Sequence, residues 1–193
     1  MINFENHVKH LRFYGNELYG YHHHEVEKRF YEAQELLGSP VDSDLIGFIT
    51  LRFKNKSDWV VANNALNSYE CRVNRSLSDE FTIANSIPFV TSIESSMTRL
   101  KDHAHVIVRL TGSLAQHPEF ELEDLFKYEA YSLDEVNHRN ADSVKVRIFP
   151  FCGNSYQLGN HLEYICKTSS RHYNPLARKL FDVNPKLLIK TQL

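Results

Sequence analysis

Apolar and polar positions alternate along four short stretches of the chain, and between them apolar residues recur every three to four positions. The first alternating run, Ile46 to Lys54, sends Ile49, Leu51 and Phe53 to one side and Phe48, Thr50 and Arg52 to the other, as an extended chain with a side-chain period of two requires. Phe89 to Glu94 sets Phe89, Thr91 and Ile93 against Glu94. In Lys101 to Leu110, Ala104, Val106, Val108 and Leu110 share one face, and His103, His105, Ile107 and Arg109 share the other. Ser143 to Phe149 opposes Val144, Val146 and Ile148 to Lys145, Arg147 and Phe149, and Pro150 ends the run. Four strands are expected from these patterns. Helical spacing predicts a helix over residues 5 to 37, with Val26, Phe30, Ala33 and Leu37 in one stripe and Gly38-Ser39-Pro40 as its stop. A second helix runs from Trp59 to about Asn74 after a Ser57-Asp58 start, carrying Val60, Ala65, Leu66, Tyr69 and Val73. A third covers Glu121 to Leu133 with Leu122, Leu125, Phe126 and Glu129 at helical intervals, and a fourth lies around Asn160 to Thr168. Phe81 to Pro88 is left as a connection of undefined form.

The resulting order is β-α-β-β-α-β followed by a helix. It predicts an α+β fold: a ferredoxin-like (split βαβ) antiparallel sheet with helices on one face and the other face open. If the apolar rows pack on the helices, the open face collects Phe48, Thr50, Arg52, Glu94, His103, His105, Ile107, Arg109, Lys145, Arg147 and Phe149. Residues 1–40 are read as an N-terminal helical extension, 41–170 as the domain proper, and 171–193 as a basic C-terminal tail.

Composition sets the broad class. A chain of 193 residues, 42% hydrophobic and 24% charged, suits one ordinary globular domain and is short for two. No apolar run approaches a membrane span or a signal-peptide core, so a cytoplasmic protein without membrane contact is expected. Cys71, Cys152 and Cys166 are odd in number and form no Cys-x-x-Cys pair. A disulfide framework or structural zinc site is therefore not expected. A net charge of −2 does not favour nucleic-acid binding by bulk attraction. The distribution is uneven, however: residues 145–193 carry eight lysines and arginines against Glu163 and Asp182. Cations and aromatics on the inferred open face are what a single-strand nucleic-acid site needs, with Arg52, Arg109, Lys145 and Arg147 as its expected DNA contacts.

Chemistry enters with the histidines. His103 and His105 on one strand face supply two imidazole ligands, and Glu94 on the neighbouring strand is placed by parity to complete a site for Mg²⁺ or Mn²⁺. Asp102 is nearer in sequence but has the wrong parity. Tyr164 is the candidate nucleophile; an ordinary phenol pKa of about 10 keeps it protonated at neutral pH, so it needs help. Lys167 lies one helical turn on and would favour the phenolate or steady a phosphate, while His161, one turn back, is a possible auxiliary as proton acceptor or ligand. Leu158, Leu162 and Ile165 would anchor this helix to the sheet.

With these residues in place, the chain resembles the HUH endonucleases of the replication-initiator (Rep) type, which start rolling-circle replication of small plasmids and single-stranded DNA viruses. Phe48-Ile49-Thr50-Leu51-Arg52-Phe53 is similar to their first-strand motif, His103-Ala104-His105 to their metal motif, and Tyr164-Ile165-Cys166-Lys167 to their nucleophile motif. The resemblance spans about residues 44 to 170. It implies a Mg²⁺- or Mn²⁺-dependent nick in single-stranded DNA at an origin, a 5′-phosphotyrosine on Tyr164, a free 3′-hydroxyl and religation by reversal. A host polymerase and helicase are the implied partners, since no phosphate-binding Gly-x-x-x-x-Gly-Lys loop occurs in the chain. A single-strand transposase of the same HUH type stays open, as does a non-catalytic ferredoxin-like nucleic-acid-binding module. Histidine-triad hydrolases fit poorly, because Ile107 stands where a third histidine is needed.

Overall fold

A computed structural model of the chain describes residues 1–6, 19–54, 59–83, 85–94, 103–139 and 141–166. After a short 3-10 turn at Phe4–Asn6 come α1 (Tyr19–Leu37), β1 (Leu45–Arg52), α2 (Trp59–Phe81), β2 (Phe89–Glu94), β3 (His103–Leu110), α3 (Glu119–Tyr131), β4 (Val144–Pro150) and α4 (Ser155–Cys166). The strands form one sheet in the order β2-β3-β1-β4, and each neighbouring pair is antiparallel. From β1 to β4 this is the split βαβ arrangement of a ferredoxin-like α+β fold, as the patterning predicts.

The first sheet face carries the larger core. Ile49, Leu51, Ala104, Val106, Val108, Val144 and Ile148 pack there with Ala65, Leu66, Tyr69 and Val73 of α2 and Leu122, Leu125 and Phe126 of α3. Strand parity is as expected at every one of these positions. The α2 stripe differs in one respect: Val60 is exposed and Ala62 is buried in its place, and the helix runs on to Phe81 so that Leu77 joins the core. Asn74 then fixes the following connection, its amide bonding both the N–H and the carbonyl of Ile87. At the β4 edge, the Glu123 carboxylate accepts the Ile148 N–H at 2.9 Å, which occupies a backbone donor an edge strand otherwise leaves open.

The second face is not open, which corrects the expectation of helices on one face only. Ile46, Val90, Ile107 and Phe149 are buried there with Phe30, Ala33 and Leu37 of α1 and Leu158, Leu162, Ile165 and Cys166 of α4. The physical reason lies in the strands, whose histidine-bearing face also carries large apolar side chains that need cover. The segment read as an N-terminal extension is thus part of the second core. Phe4 packs on Phe30 with ring centroids 5.2 Å apart, and the Gln34 amide bonds both the N–H and the carbonyl of Ile2. Gly38, at φ +70°, closes α1, a left-handed conformation that glycine adopts without strain. The expected helical residues 7–18 and the expected tail 171–193 lie outside the described residues.

Candidate active site on the second sheet face

The register sorts the second face into rows that cross the strands. Glu94, His103 and Arg52 make one row, and Ser92, His105, Thr50 and Lys145 the next. Val90, Ile107, Phe48 and Arg147 follow, then Arg109, Ile46 and Phe149. The last two rows hold the apolar residues that α1 and α4 cover. The first two hold the histidines with Glu94, Arg52, Ser92, Thr50 and Lys145, so the site lies where the helical cover meets the polar end of the sheet.

The tyrosine is delivered to this place by α4. Its start is set by Asn154, whose Oδ1 accepts the Gln157 N–H at 3.0 Å while its Nδ2 donates to Gln157 Oε1 at 2.8 Å, a reciprocal cap. Leu158, Leu162 and Ile165 are buried against the sheet, as expected. That docking turns His161 and Tyr164, one turn apart, toward β1 and β3. The Tyr164 ring stands 4.9 Å from the His105 ring and nearly perpendicular to it. Tyr164 is 38% exposed, so its ring is anchored while solvent still reaches the residue.

Phe48 ties the group together. It stacks on His161 at 4.4 Å, stacks on His105 at 5.7 Å and meets Tyr164 edge-on at 6.3 Å. Such ring pairs contribute on the order of 1 kcal/mol each beyond their burial. Phe149 flanks His161 on a further side at 5.6 Å. Burial lowers the His161 pKa from its usual value, and the Arg147 charge lowers it further. Its Nε2 is buried without a hydrogen-bond partner among the described residues.

His103 and His105 face each other at 4.9 Å with perpendicular rings. His105 is buried, and its Nδ1 lies 3.1 Å from Thr50 Oγ1. Two imidazoles with a carboxylate position across from them suit a divalent ion such as Mg²⁺ or Mn²⁺. An oxygen partner on one ring nitrogen is the support a metal-binding histidine needs when it binds through the other. Glu94 is the register partner of His103, though its side chain lies outside the described residues, as does all of Lys167. Among the described residues no three His, Cys, Asp or Glu side chains converge as a metal-binding group.

The four expected DNA contacts divide. Lys145 and Arg147 are exposed on the edge strand β4, in the rows of His105 and Phe48; Lys145 makes an exposed ion pair with Asp142, at 3.6 Å. Arg52 is half-buried beside His103. Arg109 is elsewhere: its guanidinium bonds Asp44 at 2.8 Å and the Leu37 carbonyl at 3.0 Å, tying the end of α1 to the sheet at the strand end remote from the histidines. It serves the fold in this position. Thr50 is the residue sequence reasoning placed on the face without giving it a task, and the β1–β3 pairing that sets it opposite His105 was the signal that would have found it. Comparison with protein-family models, curated proteins and solved structures finds no match.

Proposed function

We propose that the protein is a replication initiator that nicks single-stranded DNA at an origin through Tyr164 and rejoins strands by the reverse step. The observation that carries this reading is the 4.9 Å contact between the Tyr164 and His105 rings, which joins the candidate nucleophile on α4 to the candidate ligand pair on β3. A bound Mg²⁺ or Mn²⁺ would withdraw charge from the scissile phosphate. His103, His105 and Glu94 are the residues proposed to hold it. The Tyr164 oxygen forms a bond to phosphorus as the bond from phosphorus to the 3′ oxygen breaks. The phenolic proton passes to solvent or a neighbouring base, and the leaving 3′ oxygen takes up a proton to become the free hydroxyl. One phosphodiester is exchanged for another, so no nucleotide triphosphate is consumed and religation is the same step reversed. Lys167 is proposed to steady the phosphate, and Arg52, Lys145 and Arg147 to hold the flanking strand.

No helix among the described residues is long and apolar enough to cross a membrane, and we place the activity in the cytoplasm of a host cell, alongside a host polymerase and helicase. The test is incubation with origin-derived or random single-stranded oligonucleotides and Mn²⁺, followed by a denaturing gel. Wild-type protein should give a metal-dependent covalent protein–DNA band, and Tyr164→Phe and His103→Ala should lose it by at least about 10³-fold. A protein that shifts DNA but never forms the band would be a binding module, and the nickase reading would fall.

A further inference from the structure

Thr50 places a polar side-chain atom within hydrogen-bond distance of a candidate ligand ring, its Oγ1 at 3.1 Å from His105 Nδ1. A neutral imidazole carries one proton, and its two nitrogens then do opposite things: one donates, the other offers a lone pair. Whichever nitrogen faces the site must be the one without the proton if it is to bind a cation. Thr50 lies directly across from His105 in the β1–β3 register, on a strand whose backbone is held from both sides by β3 and β4, so its hydroxyl is positioned by the sheet itself. Phe48, two residues earlier on the same face, stacks on the His105 ring within 17° of parallel and restricts its rotation. One strand therefore supplies both a ring plane and a polar partner for the same imidazole.

We infer that Thr50 is a positioning residue that accepts the Nδ1 proton of His105, fixes the ring in that tautomer and presents the Nε2 lone pair toward His103 and Tyr164. This rests on the nickase reading for its purpose but not for its test, because the tautomer is a property of the metal-free protein. Histidine ¹⁵N shifts of the labelled full-length chain distinguish the tautomers, with the His105 signals assigned by their loss in His105→Gln. Wild type should show His105 protonated at Nδ1. Thr50→Val, which keeps the shape and removes the hydroxyl, should abolish that preference and weaken Mn²⁺ binding, read from free Mn²⁺ by electron paramagnetic resonance, by about 10- to 100-fold. Thr50→Ser should restore both, which a merely structural role for the methyl group would not predict. Wild-type His105 protonated at Nε2, or a Thr50→Val protein with unchanged tautomer, overturns the inference. A wild type with the expected tautomer and no Mn²⁺ binding upholds the role of Thr50 and sinks the nickase reading.

Discussion

At the level of single residues, His161 shows how burial sets chemistry. Its ring is held between Phe48 and Phe149, and burial, with the Arg147 charge adding, lowers its pKa from the usual 6.5. The unfolded chain therefore takes up this proton first as the pH falls. The contribution of neutral His161 to stability is whole above the unfolded pKa and is lost as the pH drops through the lowered folded one. Urea unfolding at pH 7.5 and pH 5 should show wild type losing more stability on acidification than His161→Phe, the other histidines cancelling between the two proteins. Equal losses would mean that the ring takes up its proton in the folded site without penalty. Cys166 obeys the same physics with opposite sign, since burial pushes its thiol up to about 12. Although it stands two residues from Tyr164, it remains an inert thiol at neutral pH.

Among the elements, β1 and β3 are the central strands, each paired on both sides and packed on both faces. Gly47 in the middle of β1 marks a tight point: a Cβ there would stand 2.7 Å from Val108 Cγ2. Gly47→Ala should cost about 1–3 kcal/mol through forced shifts in the packed sheet, measured as a drop in unfolding free energy, and a neutral result would show that Val108 rotates away. Strand parity was legible in the sequence because one face of each strand is apolar and the alternation of side chains leaves no freedom. The covering of the second face was not read, although Ile46, Phe48, Ile107 and Phe149 carried the signal on that face. Polar neighbours in the same rows masked it, and helical periodicity in α1 says that a stripe exists without saying what it covers. The histidines, His161 and Tyr164 were legible as residue types in order. The position of Arg109 was not, because its partner Asp44 lies in a turn with no periodicity to place it.

For the molecule as a whole, the helices outside the βαββαβ unit share a core with the site. Phe30 is fully buried in the cluster that also seats Leu158, Leu162 and Ile165 of α4. Phe30→Ala should lower stability by about 3–5 kcal/mol and, by loosening the seat of α4, reduce covalent DNA adduct even at temperatures where the sheet stays folded. Circular dichroism melting beside the adduct assay checks both, and full adduct yield from a destabilised protein would show that α4 docks without α1. The pair of half-buried Arg109 with buried Asp44 adds a second tie between α1 and the sheet, and removing the arginine would leave the Asp44 charge buried without it, at a cost on the order of 3 kcal/mol. The register that pairs Glu94 with His103 and Thr50 with His105 also decides which changes of chain length the protein can survive. A one-residue slip of β3 would exchange its two faces, sending the histidines to the face covered by α2 and α3 and Ala104 and Val106 toward Tyr164. What the site requires of chain length is therefore fixed by parity within β3, where a shift of one position separates both imidazoles from Tyr164.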